Sequence, residues 1–178
     1  MRLAAFAAAW LLPAAAMAEE PFDFGPREYA VDEIAADLAY GFCPLYLAGQ
    51  FPLTGNPMLA ERGFGEQIRR TPEPRFGELE QVTAIKPDGN VAFGGVPGKV
   101  CSVTVTGADL EKVSERLHSN MAFMGLEFAP DPANTGDRGG IALETFKARV
   151  DGQMLYLQLA RVPEPKPAIV AQLFGMAE

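Results

Sequence analysis

Asp151-Gly152 separates two strand-like runs, ALETFKARV before it and QMLYLQLARV after it. An Asp-Gly pair suits the two-residue turn of an antiparallel hairpin, because that turn needs left-handed backbone, which Asp tolerates and Gly adopts freely. Setting Val150 opposite Gln153 places Ala148 opposite Leu155 and Phe146 opposite Leu157. These residues then share one face. Turn and apolar pattern therefore specify the same register, and a slip of one residue would turn every side chain over. The other face carries Lys147, Arg149 and Tyr156 and reads as partly wetted. A lone hairpin is marginal in water, so the chain must supply more strands and a layer to cover the apolar face.

The residues upstream supply both. Val31, Ile34, Leu38, Phe42 and Leu45 recur at helical spacing, and Pro44 is expected to end or kink that helix near Cys43. This puts Cys43 at the far end of the helix, toward the rim of its apolar face. A short second helix starts at Asn56, a good N-cap, with Pro57 in its first turn; Gly63 ends it, and Phe64 packs back on it. Strands follow at 78–85 and 90–93 around the turn Pro87-Asp88-Gly89, then at 99–106 after a glycine-rich link, GGVPG. Cys101, Val103 and Val105 share the apolar face of that last strand. A third helix opens with Thr106 and Asp109 as a capping-box variant. Leu110, Val113, Leu117, Met121 and Met124 form its stripe, and Gly125 stops it. After the hairpin come a proline-rich spacer, VPEPKP, and a short apolar tail, AIVAQLFGM.

Helices, strands, one helix and strands again predict an α+β domain over residues 30–178. Its sheet is mostly antiparallel, with two to three helices packed on one face. Residues 1–18, MRLAAFAAAWLLPAAAMA, have one basic residue, an apolar run and a small-x-small end. They predict a secretory signal peptide cut near Ala18-Glu19, since the run is shorter than the roughly 20 apolar residues that a membrane-spanning helix needs. Residues 19–29 then form an extended lead-in. The expected location is periplasmic or secreted, with no membrane span in the mature chain.

Export decides how the two cysteines read. In an oxidising compartment Cys43 and Cys101 are expected to form a disulfide closing a loop of about 60 residues, worth about 4 kcal/mol on the chain-entropy model. A zinc site would need about four ligands, more than two cysteines and one histidine provide. The net charge of −8 disfavours nucleic acid and anionic membranes as partners.

The layout resembles small exported bacterial proteins of unknown function. In those, a helix bearing a cysteine precedes a short helix ending in A-x-x-G-F, here Ala60 to Phe64. A second cysteine then lies in a strand before an amphipathic helix, here GKVCSVTVTGADLEKV. The resemblance spans residues 30–125 and implies no activity.

Candidate chemistry is sparse. FGGVPGK, Phe93 to Lys99, is one residue short of a phosphate loop and has Val100 where Ser or Thr is required, so it reads as a turn. His118 lacks a marked nucleophile: none of Ser102, Ser114 and Ser119 sits in a G-x-S-x-G elbow. Asp131, Asn134 and Asp137 do not follow the calcium-loop spacing and read as a surface loop. Glu127 and Glu144 interrupt apolar strand patterns. In the hairpin register Glu144 faces the apolar side, where a carboxylate acquires either a raised pKa or a basic partner unless it reaches solvent at the sheet margin. No cofactor and no metal are expected. The reading that follows is a non-catalytic exported domain binding an envelope protein partner or a small ligand, with Lys147, Arg149 and Tyr156 as its candidate contact surface. The alternative is an envelope-directed hydrolase using paired carboxylates such as Glu127 and Glu144.

Overall fold

The computed structural model describes residues 28–176; the expected signal peptide and nearly all of the lead-in lie outside that range. Nine strands form one antiparallel sheet: β1 (Arg69–Glu73), β2 (Gly77–Lys86), β3 (Gly89–Val96), β4 (Val100–Thr106), β5 (Ala129–Pro130), β6 (Gly136–Arg138), β7 (Ile141–Val150), β8 (Gln153–Val162) and β9 (Ala168–Met176). Their order is β1-β2-β3-β4-β9-β8-β7-β5, with β6 also paired to β7. Helices α1 (Val31–Ala36), α2 (Cys43–Leu47) and α4 (Leu110–Asn120) cover one face, and α3 (Pro57–Glu61) joins them at the β2 end through Phe64, which bridges to Ala84. The architecture is α+β.

The hairpin forms in the register its turn predicts: Val150 faces Gln153, Ala148 faces Leu155, Phe146 faces Leu157 and Glu144 faces Leu159. Asp151 takes positive φ, as the turn requires. Leu157 joins Leu173 and Cys101 beneath the helices, with Phe93 further along the sheet.

The expected tail is instead a central strand. β9 lies between β4 and β8, pairing Cys101 with Leu173 on one side and Leu157 with Leu173 on the other. Ile169, Ala171 and Leu173 face the helices, while Phe174 is buried on the opposite side. A strand buried on both faces loses its alternation, so AIVAQLFGM has no period to reveal it. The glycine-rich link differs too: Gly94, Gly95 and Val96 belong to β3, and the turn is Pro97 to Lys99. A Cβ on Gly94 would lie 2.0 Å from the Glu80 carbonyl, and one on Gly95 2.0 Å from the Val100 carbonyl. Both positions have left-handed φ, so only glycine lets the neighbouring strands approach here.

Pro44 does not end the first helix. A π-helical stretch, Asp37–Phe42, links α1 to α2, and the Cys43 amide donates to the Leu38 carbonyl five residues back. Pro44 then sits in the first turn of α2, where its missing amide costs nothing. The wider turn inserts one residue, so every later side chain advances by one position. Leu45, expected on the buried face, is 40% exposed, and Tyr46 takes its place at 3%. Cys43, expected at the rim, is fully buried for the same reason. It forms the disulfide with Cys101, at a Cα–Cα distance of 5.4 Å.

Helix ends rest on both local and distant caps. Asn56 accepts from the Met58 amide, as expected. The third predicted helix, α4, is capped by Asp109, which accepts from Lys112, whereas Thr106 is the last residue of β4. Gly107, at positive φ, turns the chain between them. The α1 N-terminus has no side-chain cap of its own; Asp88, from the β2–β3 turn, accepts from the Val31 amide at 3.0 Å. Asp32, almost fully buried, then pairs with Lys112 at 2.9 Å and Arg116 at 3.0 Å and ties α1 to α4. Burial raises its pKa, but the bonds from these two cations outweigh burial and leave it lowered.

Candidate functional site

Three regions bear on function: the outer sheet face, the corner where α4 meets β7, and a groove at the turn end of the β7–β8 hairpin.

On the outer face, strand pairing sets Lys147 beside Tyr156, Tyr156 beside Phe174 and Phe174 beside Val100. Tyr156 stacks on Phe174 with ring centroids 5.6 Å apart. Phe76, from the β1–β2 turn, lies on the other side of Phe174 at 5.7 Å, and the Arg75 guanidinium covers both phenylalanine rings. Lys147 reaches Asp131 at 3.3 Å. Asp131 is buried, accepts from Asn134 at 2.7 Å, and is held below the usual carboxylate range by that bond and by Lys147. Its oxygens therefore serve to seat the 131–135 loop against Thr145. Asp137 accepts from the Gly140 amide. Of the three expected contact residues, only Arg149 is exposed; Lys147 and Tyr156 are half-buried and engaged within the fold. No group of three or more candidate metal ligands occurs among the described residues.

At the α4–β7 corner, Glu144 reaches solvent, its side chain 54% exposed, and it also has a basic partner. Nε2 of His118 lies 2.9 Å from Glu144, and Nδ1 lies 2.8 Å from the Ser114 carbonyl. Both neighbours accept hydrogen bonds, so the arrangement favours the doubly protonated ring. Burial lowers the His118 pKa, but the bonds to Glu144 and Ser114 outweigh it and raise the value. The cavity beside this pair is about 50 Å³, room for little more than a water or two. Glu127 is exposed and is not part of its wall.

The groove is larger, at about 680 Å³. Pro44 and Leu47 of α2 form one side, Met154 and Leu155 of β8 another, and Met124 and Leu126 close the end. Asp151 and Gln153 place polar groups at its margin. The π turn makes this side by rotating α2, and the hairpin supplies the rest because its turn end extends past the helices. The chain tightens into a 3-10 turn at Met121–Met124, and Met124, half-buried, still packs against the core as its place on the α4 stripe predicts.

No protein-family model, no curated protein and no solved structure matches this chain. None of the helices among the described residues is long and apolar enough to cross a membrane.

Proposed function

We propose that the protein is a non-catalytic, exported binding module that holds a small, largely apolar molecule in the groove between α2 and the β7–β8 turn. The groove volume of about 680 Å³ carries this reading, because it lies within the range of about 300–1,000 Å³ typical of small-molecule sites. Met124 in its wall supports it further: a flexible, polarizable side chain fits varied apolar shapes. Export rests on the leader sequence and agrees with the disulfide. The small cavity at Glu144 favours binding over carboxylate-pair hydrolysis, which needs a cleft for the sugar.

Titration with N-phenyl-1-naphthylamine, a neutral apolar dye, tests the reading. Saturable fluorescence enhancement that L155E removes is the expected result. Enhancement that is absent, or equal in L155E, overturns it.

A protein partner on the outer face is a second reading, favoured by the stacked Tyr156–Phe174 pair, with Phe76 tilted against it, beside exposed Arg149. Cross-linking in the envelope fraction tests it: a partner that is captured by the native chain and lost from R149E/Y156A supports it, and capture unaffected by that change removes it.

A further inference from the structure

The π stretch that redirects α2 also lines a second cavity, of about 360 Å³, on the far side of the Met121–Met124 turn. Its walls include Asp37, Gly41, Arg62, Asn120 and Phe123. Arg62 is an unusual wall residue. Its side chain is only 9% exposed, and its guanidinium lies over both the Tyr29 ring at 4.6 Å and the Phe42 ring at 5.0 Å. One terminal nitrogen donates to Asp37 at 2.9 Å and the other to the Met58 carbonyl at 3.0 Å. The buried Nε has no partner. Two further features of the cavity lack a packing explanation. Gly41 sits inside a helical segment, where glycine is disfavoured, yet a Cβ there would meet nothing within 4 Å. Phe123, on the rim, is 79% exposed. A π turn in an otherwise α-helical run is itself a frequent mark of a functional site.

The chemistry of the walls selects a ligand class. Asp37 only accepts hydrogen bonds, Arg62 only donates them, and Asn120 does both. The ion pair leaves the cleft without net charge. An anionic ligand would approach Asp37 and a cationic one Arg62, each at a repulsive cost. A hydroxyl both donates and accepts, so neighbouring hydroxyls of one ligand satisfy the carboxylate and the guanidinium together. The apolar face of the same ring then lies against Phe123. We propose that the Asp37–Arg62–Asn120–Phe123 cleft is a binding site for a neutral sugar, a mono- or disaccharide, separate from the apolar groove.

The test is an NMR titration of the ¹⁵N-labelled protein with glucose, galactose, N-acetylglucosamine and cellobiose, with benzoate and benzylamine as charged controls. The expected result is saturable shifts of the Gly41, Asn120 and Phe123 amides by at least one sugar. F123A weakens that binding at least tenfold, and G41L, whose side chain enters the open space, abolishes it while the remaining spectrum stays native. L155E, in the apolar groove, leaves sugar binding unchanged, so the two sites fail independently. The proposal is overturned if no sugar shifts these amides, if the shifts persist in G41L, or if either charged control binds more tightly than every sugar.

Discussion

His118 Nε2 lies 2.9 Å from Glu144 and so joins α4 to β7 across the edge of the helical layer. The groups facing the imidazole are Glu144, the Ser114 carbonyl and, with opposing sign, Arg161. Since the folded pKa is raised, the protonated ring stabilises the fold fully below the ordinary histidine value near 6.5, and that contribution disappears as pH rises through the folded value. The pair is partly solvated, so the loss is about 0.5 kcal/mol. His118 is the only histidine, so its ring proton shifts can be followed by NMR without overlap. E144Q is expected to lower the midpoint, and a midpoint at or below the ordinary value in the native protein would contradict the pairing.

The Cys43–Cys101 disulfide closes a separation of 58 residues. Reduction is expected to lower stability by about 4 kcal/mol through the freed unfolded chain. Urea unfolding with and without reductant measures it. Equal midpoints would mean that the buried helix–sheet packing holds Cys43 in place unaided.

Asp32 is buried between two cations whose side chains stay 58% and 40% exposed. D32N is expected to cost about 2 kcal/mol, below the range for a fully buried pair because Lys112 and Arg116 can be hydrated. The folded pKa of Asp32 is lowered, so its contribution is complete above the ordinary carboxylate value and is lost as pH falls through the folded one. A native chain that loses stability on acidification more steeply than D32N supports this sign; parallel profiles would refute it.

Gly94 and Gly41 should respond oppositely to alanine. G94A puts a Cβ 2.0 Å from a carbonyl at left-handed φ, and a loss of more than about 3 kcal/mol is expected. At Gly41 the added methyl meets open space and gains helix propensity, so G41A should be neutral or stabilising by up to about 1 kcal/mol. Thermal unfolding of both variants separates these outcomes.

Local chemistry alone determined much of this protein. Asp151-Gly152 and the period-two pattern around it specify the hairpin register, Asn56-Pro57 and Gly63 bound α3, and a leader-like first 18 residues with two cysteines imply the bridge. Each of these signals acts over a few residues or leaves one pairing to choose. Thr106 misled because Ser/Thr-x-x-Asp also occurs where a strand ends, and Gly107 then moves the cap to Asp109. Only the tertiary structure decided that β9 enters the centre of the sheet, because an apolar run carries no label for its neighbours and the partners, Cys101 and Leu157, are remote in sequence. The same holds for the π turn. Its extra residue is tolerated because Tyr46 and Cys43 find better burial than Leu45 would, with the Tyr40 hydroxyl tied to the Leu117 carbonyl at 2.6 Å. That one-residue shift rotates α2 and shapes both cavities. Candidate ligand sites therefore arise from packing between segments distant in sequence, where no motif records them.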